Sequence, residues 1–186
     1  MTPTEATAAV IDGLNALQIP YMVVGSFSSN FYGIPRATRD ADFVVQMKPE
    51  MLSTLIHHIG SHFRFDRQMS FEAVMATQRH VIFLEDSLFS IELFLLSDDA
   101  HDQQRFARRQ QERILDRDAF VPTVEDVIIT KLRWSRAGHR QKDIDDVRNV
   151  IAIQNDRIDW DYVAAWCDRH ETREILDSTR QSLSPR

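Results

Sequence analysis

The stretch Arg39-Asp40-Ala41-Asp42-Phe43-Val44-Val45 places two acids, two residues apart, at the mouth of an apolar run. Read as a strand, the run alternates faces with period two, so both carboxylates share one face with their Cα atoms about 6–7 Å apart. Like charges held that close raise each other's proton affinity unless a cation sits between them. Two readings fit the pair. In one, a divalent ion relieves the repulsion, as Mg²⁺ does when one or two carboxylates and substrate phosphates hold it. In the other, the pair is a solvated strand end.

Working outward, Glu92 is the only charge in Phe89-Ser90-Ile91-Glu92-Leu93-Phe94-Leu95-Leu96, a stretch apolar on both faces. A buried carboxylate needs a partner. That partner is a metal shared with Asp40 and Asp42 if the two strands are neighbours, or else an Arg, or water at a sheet edge. On the other side, Val23-Val24-Gly25-Ser26 ends one strand and enters a helix. There the glycine permits close backbone approach, and the Ser hydroxyl and free N–H groups suit a phosphate. Neither the Gly-Lys-Ser/Thr ending of a phosphate loop nor the three-glycine dinucleotide fingerprint is present.

Around these motifs the periodicity predicts an opening helix ending before Pro20, strands at Tyr21–Gly25 and Asp40–Gln46, and a helix over Pro49–Ile59. Strands at His80–Leu84 and Phe89–Leu96 are joined by a turn at Glu85-Asp86-Ser87. From Asp98 the pattern turns helical: Asp99–Gln111, Val124–Ala137 capped by Gly138, Lys142–Gln154 and Trp160–His170, with Ile114–Val121 a strand or extended link and the tail frayed after Asp177. Strands first and helices last predict an α+β or α/β fold: a mixed sheet flanked by helices, then a C-terminal helical subdomain. The expected division is a core over 1–121, the subdomain over 122–180 and a tail at 181–186.

Gly25-Ser26, then Tyr32-Gly33-Ile34-Pro35-Arg36-Ala37-Thr38-Arg39-Asp40-Ala41-Asp42, then Glu92, resemble the signature of the polymerase-β-type nucleotidyltransferase superfamily. The likeness is to its small bacterial members, which include abortive-infection toxins of toxin–antitoxin systems and the minimal nucleotidyltransferases. Pro122 to Trp134, with Lys131, and the acidic Lys142-Asp143-Ile144-Asp145-Asp146-Val147 are similar to the helices that follow in that family. The resemblance implies the nucleotidyltransferase fold and transfer of a nucleoside monophosphate from an NTP to a hydroxyl acceptor. It implies Mg²⁺ or Mn²⁺ on Asp40, Asp42 and Glu92, with Gly25, Ser26, Arg36, Thr38, Arg39 and Lys131 around the nucleotide. A tRNA acceptor and a cognate toxin or antitoxin partner are further implications. A nucleotide-binding regulatory protein without turnover is the alternative. Glu92 stands where Asp is common, and its longer side chain changes how a metal would be placed.

Composition bounds the rest. The chain has 186 residues, 43% of them hydrophobic and 27% charged, which suits one globular core and excludes a fibrous or disordered class. The single cysteine, Cys167, rules out an internal disulfide and a Cys-based zinc site. No apolar run is long enough to span a bilayer and no secretory leader opens the chain, so the expected setting is cytoplasmic, away from membranes. The net charge is −6, yet residues 104–142 hold ten Lys/Arg against five acids, and no acid lies between Lys131 and Lys142. That segment is either a site for a phosphate-bearing ligand or a solvated helix of paired charges. His57, His58, His62 and His80 follow no metal-ligand spacing, and Trp134, Trp160 and Trp166 read as core.

Overall fold

The structure is a computed structural model that describes residues 1–66 and 68–183. Thr2 opens α1 (Pro3–Ala16) through a capping box with Glu5, and Pro3 supplies a preset first helical residue. The chain then lays down β1 (Tyr21–Val24), α2 (Gly25–Tyr32), β2 (Asp40–Val45) and α3 (Pro49–Ile59). Strands β3 (Phe63–Phe65), β4 (Ser70–Glu72), β5 (Thr77–Leu84) and β6 (Ser90–Leu95) follow. They form one six-stranded sheet in the order β1-β2-β6-β5-β3, with β4 also on β5. It is mixed: β2 and β6 run parallel and the other pairs antiparallel.

Alternation decides which residues meet. Tyr21, Val23, Ala41, Phe43, Val45, Ile82, Leu84, Ile91 and Leu93 pack with Val10, Ile11, Leu14 and Leu55 into the main core under α1 and α3. Each such side chain, fully buried, contributes about 1.5–3 kcal/mol relative to exposure. Met22, Val24 and Val44 point to the opposite face, with Phe94 and Phe106. Asp40, Asp42 and Glu92 have the parity of that second face.

This face is closed by the C-terminal half, which comprises α4 (Ala100–Ala107), a hairpin of β7 (Gln110–Ile114) and β8 (Arg117–Val121), and helices α5 (Val124–Gly138), α6 (Gln141–Gln154), α7 (Trp160–Arg169) and α8 (Arg173–Gln181). A second apolar cluster joins α5 to α8 through Ile128, Ile129, Leu132, Val147, Val150, Val163, Trp166 and Leu176. Buried Asp126 ties three helices by accepting from Thr123 and Tyr162 and meeting His101 Nε2 at 3.1 Å. Helix α2 is the splice between halves. Tyr32 Oη donates to the Pro122 carbonyl, Gln154 donates to the Tyr32 carbonyl, and Gly33 lies so close to the Val150 backbone that a Cβ would sit 3.0 Å from its nitrogen.

Several expectations change. The helix expected over Asp99–Gln111 ends at Ala107, and the expected strand or link at Ile114–Val121 is the second half of the β7–β8 hairpin. Gly138 is the last helical residue of α5, and His139 takes the left-handed cap with φ 51°. The described chain stays helical past Asp177. Helix α8 runs on to Gln181 because Leu176 and Thr179 are buried against the second cluster. Of the expected tail at 181–186, residues 184–186 lie outside the described residues. No helix among the described residues is long and apolar enough to cross a membrane.

Candidate active site

Antiparallel pairing sets Val24, the last residue of β1, opposite Asp42. The chain then turns at Gly25, whose φ of 60° is a conformation that side chains resist. A Cβ there would lie 1.9 Å from Asp42 Oδ2, so only glycine lets the carboxylate seat against the turn. Helix α2 starts at the same residue with no side-chain cap, leaving its first N–H groups available to acceptors such as phosphate oxygens.

The parallel β2–β6 register sets Asp42 beside Glu92 and Asp40 beside Ser90. Burial pushes the Asp42 carboxyl up, and the charges of Asp40 and Glu92 push it further, to about 7, against the pull of Lys131 and Arg140. The outer acids are engaged elsewhere. Asp40 Oδ1 accepts a 2.6 Å hydrogen bond from Thr38, and Glu92 Oε2 accepts one of 3.0 Å from Arg79 Nη1. With these rotamers, no three His, Cys, Asp or Glu side chains among the described residues converge on a metal position. The donor chemistry nevertheless fits a hard divalent cation: three carboxylates on adjacent strands of one face, the middle one raised in proton affinity by burial and then by its neighbours.

Opposite this wall, Lys131 Nζ on α5 donates to Asp143 Oδ1 at 3.0 Å and Asp146 Oδ2 at 2.8 Å on α6. Arg36 clamps Asp146 through Nε at 2.7 Å and Nη2 at 2.9 Å, and also donates to Ser26 Oγ. Burial raises the Asp146 carboxyl, but the Arg36 hydrogen bond and the Lys131 charge outweigh it and hold Asp146 below the usual range. Between the two walls lies a cleft of about 290 Å³. Gly25, Ser26 and Lys131 stand in it with the three acids, and Met75, Thr77, Phe94, Trp134 and Arg105 also line it.

This backbone is similar to that of the antibiotic-resistance factor ANT(2'')-Ia in solution, with a TM-score of 0.64 at 11% identity over 97% of both chains. The crystal structure of ANT(2'')-Ia in complex with adenylyl-2''-tobramycin gives 0.61 at 12% identity, over 94% of this chain and 99% of that one. An antigenic nucleotidyltransferase-like protein from Paracoccidioides brasiliensis gives 0.55 at 17%, over 94% and 90%. The chain has the nucleotidyltransferase fold. No protein-family model and no curated protein sequence matches it.

Within the nucleotidyltransferase fold, the residues named from sequence fall into two groups. Gly25, Ser26, Asp40, Asp42, Glu92 and Lys131 all line the cleft. Arg36, Thr38 and Arg39 do not: Arg36 is spent on Asp146 and Ser26, Thr38 orients Asp40, and Arg39 is exposed. The basic stretch is largely dismantled into pairs, Arg133 with Asp99, Arg136 with Glu171 and Arg140 with Asp143, leaving Lys142 exposed at the cleft. Trp134, expected in the core, lines the cleft under Arg140. Arg79 was missed because the strand reading began at His80, whereas β5 begins at Thr77 and alternation from there would have shown it.

Proposed function

We propose that the protein is a nucleotidyltransferase that moves a nucleoside monophosphate from an NTP to a hydroxyl of a small acceptor. The reading is carried by one observation: Asp42, seated on the Gly25 turn beside an uncapped helix N-terminus, faces two more carboxylates, and burial together with their charge raises its proton affinity. The division into a catalytic core at 1–121 and a helical subdomain at 122–180 is part of this proposal, with the nucleotide between them.

Asp40, Asp42 and Glu92 would hold Mg²⁺ or Mn²⁺, which when bound neutralises phosphate charge during transfer. Gly25, Ser26 and the first N–H groups of α2 take the phosphate oxygens, and Lys131 adds positive charge from the facing wall. The acceptor oxygen bonds to the α-phosphorus as the bond to the bridging oxygen of the β-phosphate breaks and pyrophosphate leaves. Glu92, on the side of the cleft away from the Gly25 turn, takes the acceptor's proton. Transfer of this kind depends chiefly on alignment and charge, so these groups suffice.

A small acceptor is favoured by the pairing of most of the basic segment, which leaves little free charge for a polyanion, and by the adenylyl-2''-tobramycin held by one protein of the same fold. A toxin–antitoxin role rests on the sequence resemblance alone, a tRNA acceptor on that resemblance and the basic segment, and a cytoplasmic site of action on the reading of the sequence alone. A second reading, nucleotide binding without turnover, is favoured by the Arg79 contact that already occupies Glu92. Labelled NTPs with Mg²⁺ or Mn²⁺ and a panel of small hydroxylated molecules, tRNA and protein test both. Label transferred to a small molecule supports the proposal, and saturable binding with no transfer to anything supports the second reading.

A further inference from the structure

Arg79 lies on β5, opposite Phe94 of β6 and two register positions from the Val81–Glu92 pair, so it shares a face with Glu92. Its Nη1 reaches Glu92 Oε2 at 3.0 Å, and both side chains line the cleft. The other edge of the guanidinium is tethered, because Nε donates to Ser70 Oγ on β4 at 2.9 Å. The strand register does not need this ion pair, since the β5–β6 ladder is continuous from Arg79 to Phe83. Nor is the pair deeply buried: the side chains are 36% and 20% exposed, and ion pairs at such exposure contribute little to stability. The structure thus places a cation on the third carboxylate of the site, at a position where the fold gains little from it.

We infer that Arg79 is a built-in competitor for Glu92 that sets the affinity of the site for its divalent cation. This rests on the proposed function, in which Asp40, Asp42 and Glu92 are the metal-holding acids. Glu92 has the reach for two partners. Its extra methylene relative to Asp lets the carboxylate turn between the Arg79 guanidinium and the space beside Asp42 by rotamer changes, with the backbone held by two ladders. The substitution of Glu for the commoner Asp thereby acquires a physical role, since an Asp at position 92 is shorter by one carbon and less able to reach Arg79. Arg79 neutralises one of the three acids while no ion is bound, which lowers the like-charge repulsion in the empty site but must be given up when an ion takes Glu92. Arg79, still tethered at Ser70, then remains in the cleft as a free cation on the side of the acceptor.

The test is a set of Mn²⁺ titrations without nucleotide, read by electron paramagnetic resonance of the free ion, on the wild type and the Arg79→Ala, Glu92→Gln and doubly substituted proteins, each first shown to melt cooperatively. Arg79→Ala is expected to bind Mn²⁺ about tenfold more tightly than wild type, and in the Glu92→Gln background the same change should alter affinity by less than about twofold. Tightening of equal size in both backgrounds would show only that a nearby positive charge has been removed, and would overturn the competition. Unchanged or weaker Mn²⁺ binding by Arg79→Ala would also overturn it. A second readout follows Arg79 itself: its Nη–H resonances, identified by their loss in Arg79→Ala, should move towards free-arginine positions on saturation with Mg²⁺, and Nη–H resonances that stay put would sink the inference. If neither wild type nor Arg79→Ala binds Mn²⁺ at millimolar concentration, the metal-dependent function itself fails; binding by both without tightening removes only the role of Arg79.

Discussion

Two acidic clusters face each other across the cleft, and folding treats them oppositely. On the helical side, Asp146 is met by Arg36, Lys131 and the Ser29 hydroxyl, and its carboxyl is held below the ordinary range. On the sheet side, the Asp42 carboxylate has no hydrogen-bonded partner among the described residues and is pushed up to about 7 by burial and by Asp40 and Glu92. The same residue type therefore serves as scaffold where cations complete it and stands uncompensated where like charges surround it. An acid cluster neutralised by its own chain holds the fold together, and one left short of positive charge is open to a charge from outside.

The largest expected effect would break the scaffold half. Lys131→Met leaves Asp143 and Asp146 buried against a missing cation and should cost about 3–5 kcal/mol in urea unfolding. A loss below about 1 kcal/mol would erase the distinction between the clusters. Next, the Asp40→Asn/Asp42→Asn protein should fold at least as well as wild type in chelator-treated buffer, yet lose about a hundredfold in Mn²⁺ affinity by calorimetry. Undiminished binding would place the ion elsewhere.

Smaller, and sharper, is the pH dependence. Because the folded state raises the Asp42 carboxyl from 3.8 to about 7, it binds a proton that the unfolded chain has released between those values. That contribution to stability is complete below about pH 4 and is lost as pH rises through 7. Without divalent ions, wild type should therefore lose stability relative to Asp42→Asn as the pH rises over this interval; parallel stability profiles would refute the raised affinity. The smallest effect is expected from replacing Arg133, Arg136, Arg140 and Lys142 with Gln. With three of the four already paired, the logarithmic salt slope of any tRNA binding should change by about one at most, and a change near four would restore an RNA track along α5 and α6.

What was legible follows from range. The Asp40-Ala41-Asp42 face, the Gly25 turn and the α5 helix are written in local periodicity and in the few residues that tolerate a left-handed turn. The short strands β3 and β4 were invisible because three residues show too little alternation to read, and both take their place from pairing with β5. Helix α8 was missed because its single apolar row, centred on Leu176, gains meaning only against the cluster it covers.

By itself the sequence determined the type of chemistry available: which strand end carries paired acids, which strand end runs into a glycine and a serine, which helix offers a lysine, and that one isolated glutamate would need a partner. Tertiary structure alone decided how those charges are shared. It gave Lys131 and Arg36 to Asp146, gave Arg79 to Glu92 and left Asp42 with no paired cation among the described residues. The physical reason is that charge pairing depends on distances of about 3 Å between residues that lie 13 to 110 positions apart in the chain, and only the packed sheet and helices set such distances.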